Sequence, residues 1–147
     1  MKKFELTSEF VTFLGKKLFR IKALISFGNV EEGELGGYVE KEENLSNDGN
    51  AWVSGDARVS GDAWVSGDAR VYGDADYATV QGFGSEYRTT TFFRTKAGDI
   101  GVRCGCFYGT LDDFRKKVKE THGDSKTAKE YLMVADLMEF RFSEEEV

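Results

Sequence analysis

Chemistry in this chain would have to come from few groups. The 147 residues include one histidine and two cysteines. Cys104 and Cys106 lie two apart, so on a strand both thiols would point to one face. A disulfide across so short a loop would be strained, and a metal would want more than two ligands. The spacing reads as a pair of reduced, packed thiols in a cytosolic protein. His122 falls in the last turn of a predicted helix, where a cation suits the helix dipole. A zinc site would have to join His122 to Cys104, Cys106 and a carboxylate, and no spacing supports that. Gly82-Phe83-Gly84-Ser85 lacks the lysine of a phosphate-binding loop. No catalytic residue, metal ligand or cofactor site is assigned, and the expectation is a protein that is not an enzyme.

Other residues could bind without reacting. Trp52, Arg58, Trp64 and Arg70 recur every six positions, followed by Tyr72. Trp, Tyr and Arg are the types enriched at binding hot spots, provided flanking segments do not cover them. Arg88, Arg94, Lys96 and Arg103 concentrate positive charge further on, a candidate surface for an anion or an acidic protein. Glu31, Glu32, Glu34, Glu40, Glu42 and Glu43 read as a solvated acidic face. The net charge of −6 argues against duplex nucleic acid as a direct partner, since phosphate binding needs clustered cations. No apolar run approaches the ~20 residues of a membrane span. Met1-Lys2-Lys3-Phe4-Glu5 is not followed by the hydrophobic stretch of a secretory signal. A cytoplasmic location is expected.

What positions the aromatic and basic residues is a repeat. From Ala51 the chain reads AWVSGD, ARVSGD, AWVSGD, ARVYGD and then ADYATV. Val53, Val59, Val65 and Val71 hold one phase, continued by Tyr77 and Phe83. Ala51, Ala57, Ala63, Ala69 and Ala75 hold the phase two residues earlier. Alternate residues of a strand share a face, so Ala and Val point inward and the Trp and Arg between them outward. Gly tolerates positive φ and Asp forms Asx-turns. Gly55-Asp56, Gly61-Asp62, Gly67-Asp68 and Gly73-Asp74 are therefore predicted corners. Short strands with a corner every six residues make a solenoid rather than a sandwich. Calcium-binding rolls have period nine and pentapeptide DNA mimics period five, so neither fits. Asp56 and Asp74 could share a corner and hold a metal, but turn chemistry accounts for both. The phase runs back through Leu45 and Val39 with a two-residue excess near Asn47-Asp48-Gly49-Asn50, predicted as a loop at a corner. Gly33 to Val39 reads as the turn that leads in. Fewer than three coils result, and a solenoid stub needs caps at both ends.

The flanks should supply them. Residues 9–24 read as a β-hairpin about Leu14-Gly15-Lys16-Lys17, able to pair with the first coil. Residues 87–95 and 100–108 bracket Lys96-Ala97-Gly98-Asp99 as a second hairpin. Thr110 with Asp113 predicts a capping box, with Leu111, Phe114 and Val118 as the buried stripe and Gly123 as the stop. A second helix from about Ser125 carries Ala128, Tyr131, Leu132, Ala135 and Met138 on one face, widened by Val134 and Leu137. That wide face could be core or dimer surface. Glu139-Phe140-Arg141-Phe142 alternates as a short last strand would. The expected organisation is residues 1–30 as an N-terminal hairpin and cap, 31–84 as the repeat, and 85–147 as a ββαα unit.

The GDAWVSGDARV run resembles the hexapeptide-repeat left-handed β-helix family. In that family three units make a coil, so residues 18 apart stack. By that rule Val53 lies under Val71, Val59 under Tyr77, Val65 under Phe83, and Trp52 against Arg70. With FRIKAL, FGNVEEGELGGYVEKEENLS, YRTTTFF and CGCFYGTLDDF, the chain is similar to small hexapeptide-repeat proteins of phages and prophages. The resemblance implies a mainly β fold with C-terminal α: a short left-handed parallel β-helix flanked by hairpins and capped by the ββαα unit. Acyltransferases of the wider family use a histidine on or beside the coil, and its carbonic anhydrases need three for zinc. This repeat has none, so fold is implied and activity is not. The function expected from the resemblance is a non-catalytic protein-binding module, phage-encoded, that inhibits a host defence complex, in the manner of an anti-CRISPR. The rivals are a binder of a small anionic ligand such as a nucleotide signal, and a degenerate acyltransferase. A homo-oligomer, dimer or trimer, is expected.

Overall fold

The computed structural model describes residues 2–73, 76–83, 89–105 and 107–143. Strands β1 (Phe4–Phe13) and β2 (Lys16–Ala23) form an antiparallel hairpin. Leu14 and Gly15 take φ of 51° and 79°, the left-handed pair that a two-residue hairpin turn requires. β2 then pairs antiparallel with β3 (Leu35–Val39), so the hairpin joins the strand that opens the next segment.

From β3 onward the pairing turns parallel. A short 3-10 turn (Glu42–Asn44) leads to β4 (Trp52–Val53), β5 (Arg58–Val59) and β6 (Arg70–Val71). β3 pairs with β5 through Tyr38↔Arg58 and Val39↔Val59. β4 pairs with β6 through Trp52↔Arg70 and Val53↔Val71. An isolated parallel bridge joins Leu45 to Val65. The Val53–Val71 offset is the expected 18 residues. The other two pairs are 20 apart, because the two extra residues near 47–50 fall between their members. Three parallel contacts thus stack one turn of chain on another. Val39, Leu45, Val53, Val59, Val65 and Val71 fill the interior with Ala51, Ala57, Ala63 and Ala69, all buried. Gly55, Gly61 and Gly67 turn their corners at φ of 60–66°. Gly73 does not share that conformation, and its partner Asp74 lies outside the described residues, as does Ala75.

The interior is too narrow for side chains everywhere. A Cβ on Gly36 would sit 2.5 Å from the Val53 carbonyl oxygen, and one on Gly37 2.6 Å from that of Ala57. The Gly-Gly pair of β3 is therefore a packing requirement.

A third turn is not built among the described residues: Tyr77 packs against the interior that holds Val59, but Phe83 belongs to the other core, which corrects the stacking of Val65 under Phe83. β7 (Tyr77–Val80) instead pairs antiparallel with β8 (Thr90–Arg94). The Asp76 carboxylate accepts from the Tyr72 and Gly73 amides at 2.9 and 3.1 Å and from Arg94 Nε at 3.0 Å. It closes the second turn and ties it to the next sheet. Phe83 packs on Tyr131.

β8 continues to β9 (Ile100–Cys104) and β10 (Phe107–Thr110), giving the antiparallel order β10-β9-β8-β7. The expected single strand over 100–108 is split by Gly105 at φ 57°. Because β7 belongs to this sheet, the C-terminal unit begins before residue 85. Helices α1 (Leu111–His122) and α2 (Lys126–Phe142) follow. The Thr110–Asp113 capping box, the Gly123 stop and the Ser125 cap are all present. Residues 139–142 are helix and not strand. Phe142 continues the α2 buried face four residues after Met138, and that 3.6-residue period prevails over the local alternation.

The molecule is therefore mainly β with two C-terminal helices, and its sheets are mixed and antiparallel rather than closed into a barrel. Its two cores share one wall. On β8, Phe93 faces the stacked turns while its neighbour Phe92 faces the helices, both fully buried. Trp64 N–H donates to Thr91 Oγ1 at 3.0 Å and Lys96 N–H to the Asp68 carbonyl at 2.9 Å, so β8 lies across the upper end of the turns. Phe4, Ile21, Phe27 and Val30 cover the lower end.

Candidate functional site

The repeat's outward residues divide into three groups. Trp52 and Arg70 are 3% and 7% exposed, which corrects their display on the surface. The Phe27 ring meets Trp52 edge-on at 5.4 Å, and Arg70 turns away to the Asn50 carbonyl. The segment after β2 folds back over this side, so both residues serve the core.

Trp64 is half-buried. Arg103 lies flat on its indole, 3.6 Å from the ring centroid. The pair joins the stacked turns to β9, and Trp64 borders an open groove of 580 Å³ with Lys41, Glu42, Glu43 and Asp62 on its rim. Lys41 and Asp62 are ion-paired at 3.0 Å. Arg94 is also a brace: it binds Asp76, donates to the Phe142 carbonyl at 3.0 Å and lies over the Phe142 ring. Arg88 lies outside the described residues. The positive residues of the second hairpin thus form no common anion surface among the described residues.

Arg58 and Tyr72 form the third group. With Val11, Tyr38, Asp56 and Gly73 they line a groove of 420 Å³ between the hairpin and the second turn. Tyr72 is 66% exposed. The Arg58 guanidinium lies 4.0 Å from the Phe13 ring centroid, where cation–π attraction holds it across the groove. Behind it Arg20 donates to Glu9 at 2.8 Å, to the Gly36 carbonyl at 2.7 Å and to the Tyr38 hydroxyl, and its guanidinium stacks on the Tyr38 ring. Burial works to lower the Arg20 pKa, but hydrogen bonds to Glu9 and Tyr38 outweigh it and hold the group above the ordinary arginine value. Arg20 reaches Asp56 at 3.5 Å. The groove is consequently a fixed, mixed-charge, aromatic surface, suited to binding another protein surface.

Sequence reasoning missed Arg20, Phe13 and Tyr38 here, and Lys3 and Asn44 elsewhere. Arg20 interrupts the hairpin's apolar residues between Phe19 and Ile21, and that interruption was the available signal. Lys3 had none. It is 1% exposed beneath the first turn, with Nζ donating to the Ala51 carbonyl at 2.8 Å. Burial and the nearby Arg70 push its pKa down to about 8, against a smaller upward pull from Asp48.

Among the described residues no group of three His, Cys, Asp or Glu is placed to hold a metal. The Asp56–Asp74 and Cys104–Cys106 pairs each include a member outside those residues. Thr90 Oγ1 and Cys104 Sγ are hydrogen-bonded at 3.2 Å, and the His122 ring stacks on Tyr131. No helix among the described residues is long and apolar enough to cross a membrane. Compared with protein-family models, with curated proteins and with solved structures, the chain has no match in any of the three.

Proposed function

We propose that the chain is a non-catalytic protein-binding module whose contact surface is the Arg58–Tyr72 groove. One observation carries this reading: a two-thirds exposed tyrosine stands beside an arginine already fixed over Phe13. Tyr and Arg held rigid bring large contact area at small entropic cost, which is how binding hot spots are built. We read the stacked turns as a short left-handed β-helix of the hexapeptide kind. The 18-residue Val53–Val71 register and the Gly-Asp corners support the hexapeptide repeat, and the stub would act as a rigid post rather than a catalytic wall. The resemblance to small phage proteins makes the partner a host protein, with inhibition of a defence complex as the biological role.

The groove favours a protein over a small anion, because Glu9 and Asp56 already answer the Arg20 charge. The test is capture from a bacterial lysate by the tagged chain, alongside a variant carrying Arg58→Glu and Tyr72→Ala. The reading expects a protein retained by the wild type and lost by the variant, with equal melting temperatures. Retention unchanged in the variant, or no protein retained together with a nucleotide bound to the purified chain, would contradict it.

A further inference from the structure

The outer side of α2 carries three exposed apolar residues. Met133, Leu137 and Phe140 are 71%, 57% and 78% exposed. Spaced at i, i+4 and i+7, they form one stripe, opposite the buried side of Ala128, Tyr131, Ala135, Met138 and Phe142. Lone exposed apolar residues need no explanation, but a contiguous stripe on a rigid helix does. We propose that this stripe is the interface with a second copy of the chain, the two α2 helices packing antiparallel about a two-fold axis near Leu137.

The residue positions fit such a pairing. An antiparallel two-fold contact sets Met133 against the other copy's Phe140, twice, with the two Leu137 side chains meeting between them. Thioether on aromatic ring is a favourable contact. Glu130 and Arg141 lie along one edge of the stripe, 11 residues apart, close to three full helical turns. Neither has an ion-pair partner among the described residues of its own chain. In the two-fold arrangement each Glu130 comes within about 3 Å, measured along the axis, of the level of the other copy's Arg141. That makes two equivalent ion pairs. On the opposite edge the two Asp136 carboxylates approach one another, but each is already held by its own Arg115 at 2.8 Å. Such a contact buries roughly 1,000 Å² in total, the low end for a specific pair, so a reversible, concentration-dependent dimer is expected. It would present two Arg58–Tyr72 grooves and gain avidity for any repetitive partner.

The test is sedimentation equilibrium of the full chain over a wide concentration range. The wild type should pass from monomer to dimer, and Leu137→Glu should stay monomeric, melting as the wild type does at concentrations where the wild type is monomeric. Glu130→Arg and Arg141→Glu should each weaken the dimer about tenfold, since each turns two attractive pairs repulsive. Mixing those two variants, or combining both changes in one chain, should restore it. A wild type monomeric throughout, a trimer, or a dimer untouched by Leu137→Glu and by the charge reversals would overturn the proposal. So would a monomer that captures a different protein through Leu137.

Discussion

Two buried polar side chains, Asn44 and Lys3, hold the first turn in place. Asn44 is fully buried at a corner where the repeat's Gly-Asp is missing. Its Nδ2 donates to the Gly61 and Ala63 carbonyls at 3.0 and 2.9 Å, and its Oδ1 accepts from the Glu40 and Lys41 amides. Asn44→Asp replaces both donors by an oxygen aimed at two carbonyls. The expected loss is about 3 kcal/mol, read by chemical denaturation. Lys3 behaves differently, because its cost depends on pH. Its folded pKa of about 8 lies below the ordinary lysine value of 10.5, so the unfolded chain binds the proton more tightly. The penalty is full below pH 8 and disappears as pH approaches 10.5. Wild type should therefore gain stability relative to Lys3→Met across that window, and a melting-temperature difference that stays constant would refute the assignment. Neither residue was legible in the sequence. A buried Asn or Lys is recognised by the carbonyls around it, and those come from segments 17 to 48 residues away.

The elements were more legible where one period dominates. Inward Ala and Val at every sixth residue specify a narrow interior, and Val53 does stack on Val71. Val65→Asp should abolish the cooperative melt, because a carboxylate would enter that dry interior. A normal melt would mean the inward phase is misassigned. The start of α1 was equally plain. Thr110→Ala should cost about 1 kcal/mol by removing the oxygen that accepts from the Asp113 amide. Legibility failed where two patterns compete. Residues 139–142 alternate locally yet continue the α2 period. Tyr77 and Phe83 continue the repeat in phase, yet Asp76 ends the stack and the antiparallel pairing with β8 takes over. Trp52 and Arg70 occupy outward positions in the repeat, and only the fold-back of Phe27 and Gly28 encloses them.

At the scale of the whole molecule, two cores meet across β8, and the stacked turns are closed at both ends by other parts of the chain. That closure turns two short turns into a rigid body. The contact between Tyr108 and the Gly67 corner shows how close the joint is: a Cβ on Gly67 would collide with the tyrosine hydroxyl. Of the residues read from the sequence as a binding face, the fold uses Trp52, Trp64, Arg70, Arg94 and Arg103 as internal braces. Arg58 and Tyr72 remain together at an open groove. The claim that this groove is where a partner binds is tested most directly by oxidative footprinting of the captured complex, with Tyr72 as the reporter. The account predicts that Tyr72 is strongly protected in the complex and reactive in the free chain. A Tyr72 as reactive in the complex as in the free chain would contradict it.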